Sequence, residues 1–104
     1  MFDYSLVDQV VEKIAEEFNP ELITIFGSVA KGEAEDQSDL DILVVVDTEL
    51  SYYKHAPEIR RELLGIPLAM DILVATPEEF QAYKDDDRFF IRDIVKTRKI
   101  TYES

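Results

Sequence analysis

The chain has 104 residues, 46% of them apolar, with 23 Asp and Glu against 11 Lys and Arg for a formal net charge of −12; that suits one folded domain, residues 1–104, around a single core. The absence of cysteine excludes a disulfide framework and a thiolate metal site, and the acidic balance argues against direct binding of nucleic acid, which needs a basic face to neutralise phosphates. No run approaches the roughly 20 apolar residues of a membrane span, and no basic segment followed by an apolar core opens the chain, so a cytoplasmic protein away from membranes is expected.

Leu6, Val10, Ile14 and Phe18 recur at every fourth position, with Val7 and Val11 widening the stripe. This predicts an amphipathic helix over about residues 5–18. Asn19-Pro20 ends it, because the residue before a proline avoids the helical region. Residues 22–26 are rich in β-branched side chains and read as a strand that runs into Gly27-Ser28. Val29-Ala30-Lys31 then suits a turn or two of helix, whose first N–H groups point at whatever lies beside Ser28. Gly32 ends that turn, and residues 33–38 form a polar loop. Residues 40–46 are apolar on both faces, as expected of a central strand covered by helices.

A helix over about residues 52–64 contains Pro57, so it either begins near the proline or is kinked there; Gly65 closes it. Pro67 precedes a third strand, residues 68–74. Thr76-Pro77-Glu78-Glu79 has the order of a helix start: threonine as N-cap, proline at the first position, and a glutamate placed for a capping box. Asp87, last of three aspartates, suits the cap of a helix over about residues 88–96, and residues 100–102 suit a short final strand. The alternation gives an α/β layered domain with a small central sheet flanked by helices. Strand directions stay open at this level.

The stretch from Gly27 to Val46 carries the chemistry. Ten residues separate Ser28 from Asp39-Leu40-Asp41, which leads straight into the second strand. Successive strand residues point to opposite faces, so Asp39 and Asp41 share one. Two acids on one face at the mouth of a buried strand repel each other unless a cation sits between them. Asp71 places a third carboxylate in the third strand. Aspartate is depleted in strands and costly beside apolar neighbours, so this trio points to function. Magnesium takes oxygen ligands, and two divalent ions held by carboxylates neutralise charge on a transferred phosphorus and on its leaving group. Asp39 and Asp41 are assigned as metal ligands. Gly27 and Ser28 can cradle the β- and γ-phosphates with backbone N–H groups and a hydroxyl. Lys31 can reach a phosphate, and Ser38 caps or orients the loop before Asp39. A calcium loop over residues 36–47 is excluded, since Asp41 stands where that loop needs glycine. His55, the single histidine, reads as a surface residue; Tyr52, Tyr53, Phe89 and Phe90 can stack on a base or pack in the core.

Gly27, Ser28, Lys31-Gly32, Ser38, Asp39 and Asp41, followed by Asp71 on a later strand, resemble the signature of the DNA polymerase beta-like nucleotidyltransferase superfamily. The closest likeness is to its minimal nucleotidyltransferase (MNT) members, many of them antitoxins paired with a HEPN-domain toxin, and it spans nearly the whole chain. The resemblance implies a mixed central sheet. It implies Asp39, Asp41 and Asp71 as catalytic residues and metal ligands, with Asp71 completing a second metal site and acting on the acceptor hydroxyl. It implies Gly27, Ser28, Lys31 and Ser38 as the nucleotide-binding set, two Mg2+ ions, and ATP as substrate. The implied reaction transfers AMP from ATP to a tyrosine of a cognate HEPN toxin, which silences it. Two other readings stand beside this one: an antitoxin that acts by contact alone, and a small-molecule nucleotidyltransferase. Enzymes of the last kind that resemble this chain carry an added helical domain for the acceptor; its absence predicts an acceptor or helical partner supplied in trans. The charge of −12 predicts a partner with a basic docking face. Without metal, the three acids are expected close together in a partly desolvated cleft that raises at least one carboxyl pKa.

Overall fold

In the computed structural model, which describes residues 2–35, 38–47, 52–83 and 99–103, helices and strands alternate as the apolar periodicity predicts. Helix α1 spans Ser5–Phe18 and buries Val7, Val10 and Ile14. The Asp3 carboxylate accepts the Ser5 N–H at 3.0 Å, satisfying one of the donors that every helix start leaves without an internal partner. Asn19 ends the helix at φ 48, with its N–H on the Ala15 carbonyl; asparagine is one of the few residues that visit this left-handed region readily. Buried Pro20 then leads toward strand β1, Leu22–Phe26.

A four-residue helix, α2 (Gly27–Ala30), follows β1 directly. The remaining strands are β2 (Leu40–Val45), β3 (Met70–Ala75) and β4 (Lys99–Glu103). The sheet order is β3-β2-β1-β4, with β1 antiparallel to both of its neighbours and β2 parallel to β3. The sheet is therefore mixed. A parallel pair cannot be joined by a hairpin, and helix α3 (Tyr52–Glu62) lies in the connection between β2 and β3.

Alternation along β2 explains its continuous apolar run. Leu40, Ile42 and Val44 belong to a cluster with Val10 and Ile14 of α1, Ile23 and Ile25 of β1, Ile59 of α3, Leu63 and Ile72. Leu43 and Val45 face the other way, into a second cluster with Leu22, Ala75 and Phe80. Phe80 belongs to helix α4, Pro77–Tyr83, so both faces of β2 are covered and neither can carry a polar residue cheaply.

The end of α3 and the start of β3 differ from the sequence expectation. Helix α3 starts at Tyr52 as expected and carries Pro57 within it; Ala56, Ile59 and Leu63 are buried on one face, and packing of that face carries the helix past the proline. It ends at Glu62 rather than at residue 64, because the Leu63 and Leu64 N–H groups bond to the carbonyls of Arg60 and Arg61, only three residues back. Strand β3 begins at Met70 rather than at residue 68, since the Leu68 N–H is engaged by the Ile66 carbonyl at 2.8 Å in a tight turn. The expected helix over residues 88–96 and its cap lie outside the described residues.

The capping box of α4 forms as expected: the Thr76 N–H donates to Glu79 Oε1 at 3.0 Å, and the Glu79 N–H donates to Thr76 Oγ1 at 3.1 Å. Thr76→Ala should therefore cost about 1 kcal/mol of folding free energy, read as a lower urea midpoint. A midpoint equal to that of the wild type would show that the box contributes nothing.

Candidate active site

Register places the acids. The antiparallel pairing sets Phe26, the last residue of β1, opposite Asp41, and the parallel pairing sets Asp41 beside Asp71. Paired residues on adjacent strands sit about 4.8 Å apart and point to the same face, so two carboxylates thirty positions apart in sequence become neighbours. Asp39 lies immediately before β2. Asp39 and Asp71 are exposed and Asp41 is partly buried. Burial, helped by the negative charges of Asp71 and then Asp39, pushes the Asp41 carboxyl above its ordinary value. The expectation of a shared desolvated cleft thus holds only for Asp41; the other two acids stand in solvent at its rim.

The Gly27-Ser28 turn closes on the same point. Gly27 has φ +72, and a Cβ built on it would lie under 3.0 Å from Asp41 Oδ2 and 3.3 Å from its Cγ. The backbone angle strains any side chain here and a Cβ would force the Asp41 carboxylate to shift, which gives the glycine of the motif a steric reason in this chain. Ser28, partly buried, follows in α2, whose short run is closed by Lys31 N–H to Gly27 O at 3.2 Å and Glu33 N–H to Ser28 O at 2.9 Å. Gly32, at φ +73, ends it as expected. Lys31 is exposed at the foot of this turn.

The Ser38 hydroxyl accepts the Glu35 N–H at 2.7 Å, and the Ser38 N–H returns to the Glu35 carbonyl at 2.9 Å. Ser38 thus stands in the loop that leads to Asp39, bonded back to Glu35. Sequence reasoning missed the Ala69 carbonyl, which accepts the Leu40 N–H at 2.8 Å; a backbone acceptor has no residue-type signal, and only the strand pairing reveals it. The side chains of Tyr52, Tyr53, His55, Phe89 and Phe90 lie outside the described residues.

The donor set is all carboxylate oxygen, the kind that magnesium takes, and the Gly27 backbone stands directly against the Asp41 carboxylate. Among the described residues, no three His, Cys, Asp or Glu side chains are gathered tightly enough to hold a metal ion as they stand. A cavity of about 340 Å³ lined by Glu21, Asp47, Thr76, Pro77 and Glu78 lies at the other end of the sheet, past the ends of β2 and β3. Its three carboxylates would repel a phosphate, and it shares no residue with the acids above.

A sequence profile of the nucleotidyltransferase domain matches residues 7–101 of the chain. Among solved structures, a candidate nucleotidyltransferase from Sulfolobus solfataricus is 27% identical and superposes with a TM-score of 0.65, covering 95% of this chain and 78% of that one. A toxin-antitoxin solved with AMP-PNP superposes with a TM-score of 0.66 at 19% identity, covering 93% of this chain and 73% of that one, and so shares the fold. No curated protein matches.

Two outcomes follow from the geometry. Gly27→Ala should lose on the order of 1–2 kcal/mol from the left-handed backbone alone, and more from displacing Asp41; a urea midpoint unchanged from wild type would contradict the contact. For Asp41, a raised folded pKa means that the native chain binds the proton more tightly than the unfolded chain does. Its contribution to stability is therefore present below the unfolded value, near 3.8, and lost as pH rises through the folded one. In EDTA, Asp41→Asn should melt close to wild type at acid pH and at or above it at neutral pH. A variant melting several degrees lower at pH 7 would mark the aspartate as structural.

Proposed function

This chain belongs to the nucleotidyltransferase domain family, and we propose that it transfers AMP from ATP to a tyrosine of a helical HEPN-type toxin, acting as the antitoxin that silences this partner. The observation that carries the reading is the close approach of the Gly27-Ser28 turn to Asp41, itself in register with Asp71. One end of one sheet thus joins the Gly27-Ser28 turn to paired carboxylates.

In this reading Asp39, Asp41 and Asp71 hold Mg2+, two ions in the full set. Bound there, the metal supplies charge neutralisation at the transferred phosphoryl group and the leaving pyrophosphate. The chain does the rest. Gly27, having no Cβ, lets the backbone approach the β- and γ-phosphates, and Ser28 donates its N–H and hydroxyl to their oxygens. Lys31 brings an ammonium to the same end and offsets part of the triphosphate charge. Asp71 is exposed on β3, which has β2 as its neighbour on one side and no strand on the other among the described residues. An acceptor can reach it from that open edge, and a carboxylate oxygen of Asp71 takes the proton of the tyrosine hydroxyl. The phenolic oxygen then bonds to the α-phosphorus and pyrophosphate leaves.

The AMP-PNP and the partner in the toxin-antitoxin neighbour support an adenine nucleotide and a protein acceptor. The charge of −12 supports a partner whose docking face is basic. No described helix is long and apolar enough to cross a membrane. A second reading, neutralisation by contact without transfer, is favoured by the acids' standing apart from a closed metal cage.

Intact mass spectrometry separates the two. Incubated with ATP, magnesium and the helical partner, the wild type should add one or more AMP units to the partner, and Asp41→Asn should add none. Silencing of the partner with no adduct, equal for wild type and variant, would establish the contact reading.

A further inference from the structure

Resting on the nucleotidyltransferase reading above, we propose that Ser38 is a positioning residue: its hydroxyl clamps the backbone on one side of Asp39 while the Ala69 carbonyl clamps it on the other. Asp39 needs such a device. It is exposed and precedes β2, so burial does not hold it and its own backbone lies outside the strand. A ligand carried on a loose loop must be ordered each time it binds, and that ordering weakens the site.

The geometry answers the need on both flanks. Upstream, the Ser38 hydroxyl accepts the Glu35 N–H at 2.7 Å and the Ser38 N–H donates to the Glu35 carbonyl at 2.9 Å, so two reciprocal bonds join Ser38 to Glu35. Downstream, Leu40 is fully buried and its N–H donates to the Ala69 carbonyl at 2.8 Å. Ala69 stands two residues before Asp71, so this second bond fixes Asp39 relative to the strand that carries the third acid. Only the upstream half depends on a side chain. At that position alanine would remove the hydroxyl bond and leave the backbone one, whereas threonine would keep both, and the partner atoms at residue 35 are backbone.

The test uses the full chain with Mn2+ and AMP-PNP as probes, comparing wild type, Ser38→Ala, Ser38→Thr and Asp41→Asn. Ser38→Ala should speed solvent exchange of the Glu35 amide in the metal-free protein and leave the melting temperature near that of wild type. It should also weaken Mn2+ binding roughly 10- to 100-fold, the usual effect of removing a group that orients a metal ligand. Ser38→Thr should restore both the exchange rate and the affinity. Wild-type affinity in Ser38→Ala, with affinity lost in Asp41→Asn, would overturn the clamp and leave the site standing. A loss that Ser38→Thr fails to restore would overturn it too. Affinity unchanged in both Ser38→Ala and Asp41→Asn would remove the acids as a metal site, and the clamp with them.

Discussion

Two carboxylates side by side on parallel strands, one of them partly buried under a glycine turn, set the terms for the rest of this molecule. Asp41 and Asp71 repel each other and Asp41 is partly desolvated, so the carboxyl of Asp41 holds its proton more tightly than an ordinary aspartate. Gly27 approaches so closely that no side chain fits between it and the Asp41 oxygen. An arrangement that is unfavourable without a cation persists because the strands beneath it are pinned by packing that has nothing to do with charge.

That packing is concentrated on β2. Leu40, Ile42 and Val44 are locked by α1, α3 and β1 on one face, and Leu43 and Val45 by Phe80 and Ala75 on the other. A one-residue slip of β2 would drive Asp41 into one of these clusters, so register is strongly specified and the acids stay on the side where β1 ends. Helix α3 matters for the same reason. As part of the crossover that makes β2 and β3 parallel, it allows both strands to begin at the same end of the sheet, and their acids to meet there.

Much of this could be read from the residues. The every-fourth-residue stripe of α1, the two-faced apolar run of β2, the Thr76–Glu79 capping box and the glycine at the end of α2 are local signals, and each formed where its residue types predict. Aspartate in an apolar strand is out of place, and with the Gly-Ser to Asp-x-Asp spacing this singles out the acids as candidates. What the residues did not disclose are relations between distant segments. Periodicity says which face of a strand is buried, not which strand lies beside it, so the pairing of Asp41 with Asp71 and the bond from Leu40 to Ala69 appear only in the fold. Exposure departs from the expectation for a related reason. Asp39 precedes its strand and Asp71 lies on a strand with an open edge, so neither is desolvated as Asp41 is. The boundaries of α3 and β3 were set by turn hydrogen bonds at Leu63, Leu64 and Leu68, which composition does not encode.

The most direct measurement is anomalous diffraction from crystals grown with Mn2+ and a non-hydrolysable ATP analogue. A metal site built on this trio predicts anomalous density between Asp41 and Asp71 with Asp39 beside it, and the triphosphate lying along the Gly27-Ser28 turn. Nucleotide bound at that turn with no anomalous density at the three carboxylates, or Mn2+ found only elsewhere in the molecule, would contradict it.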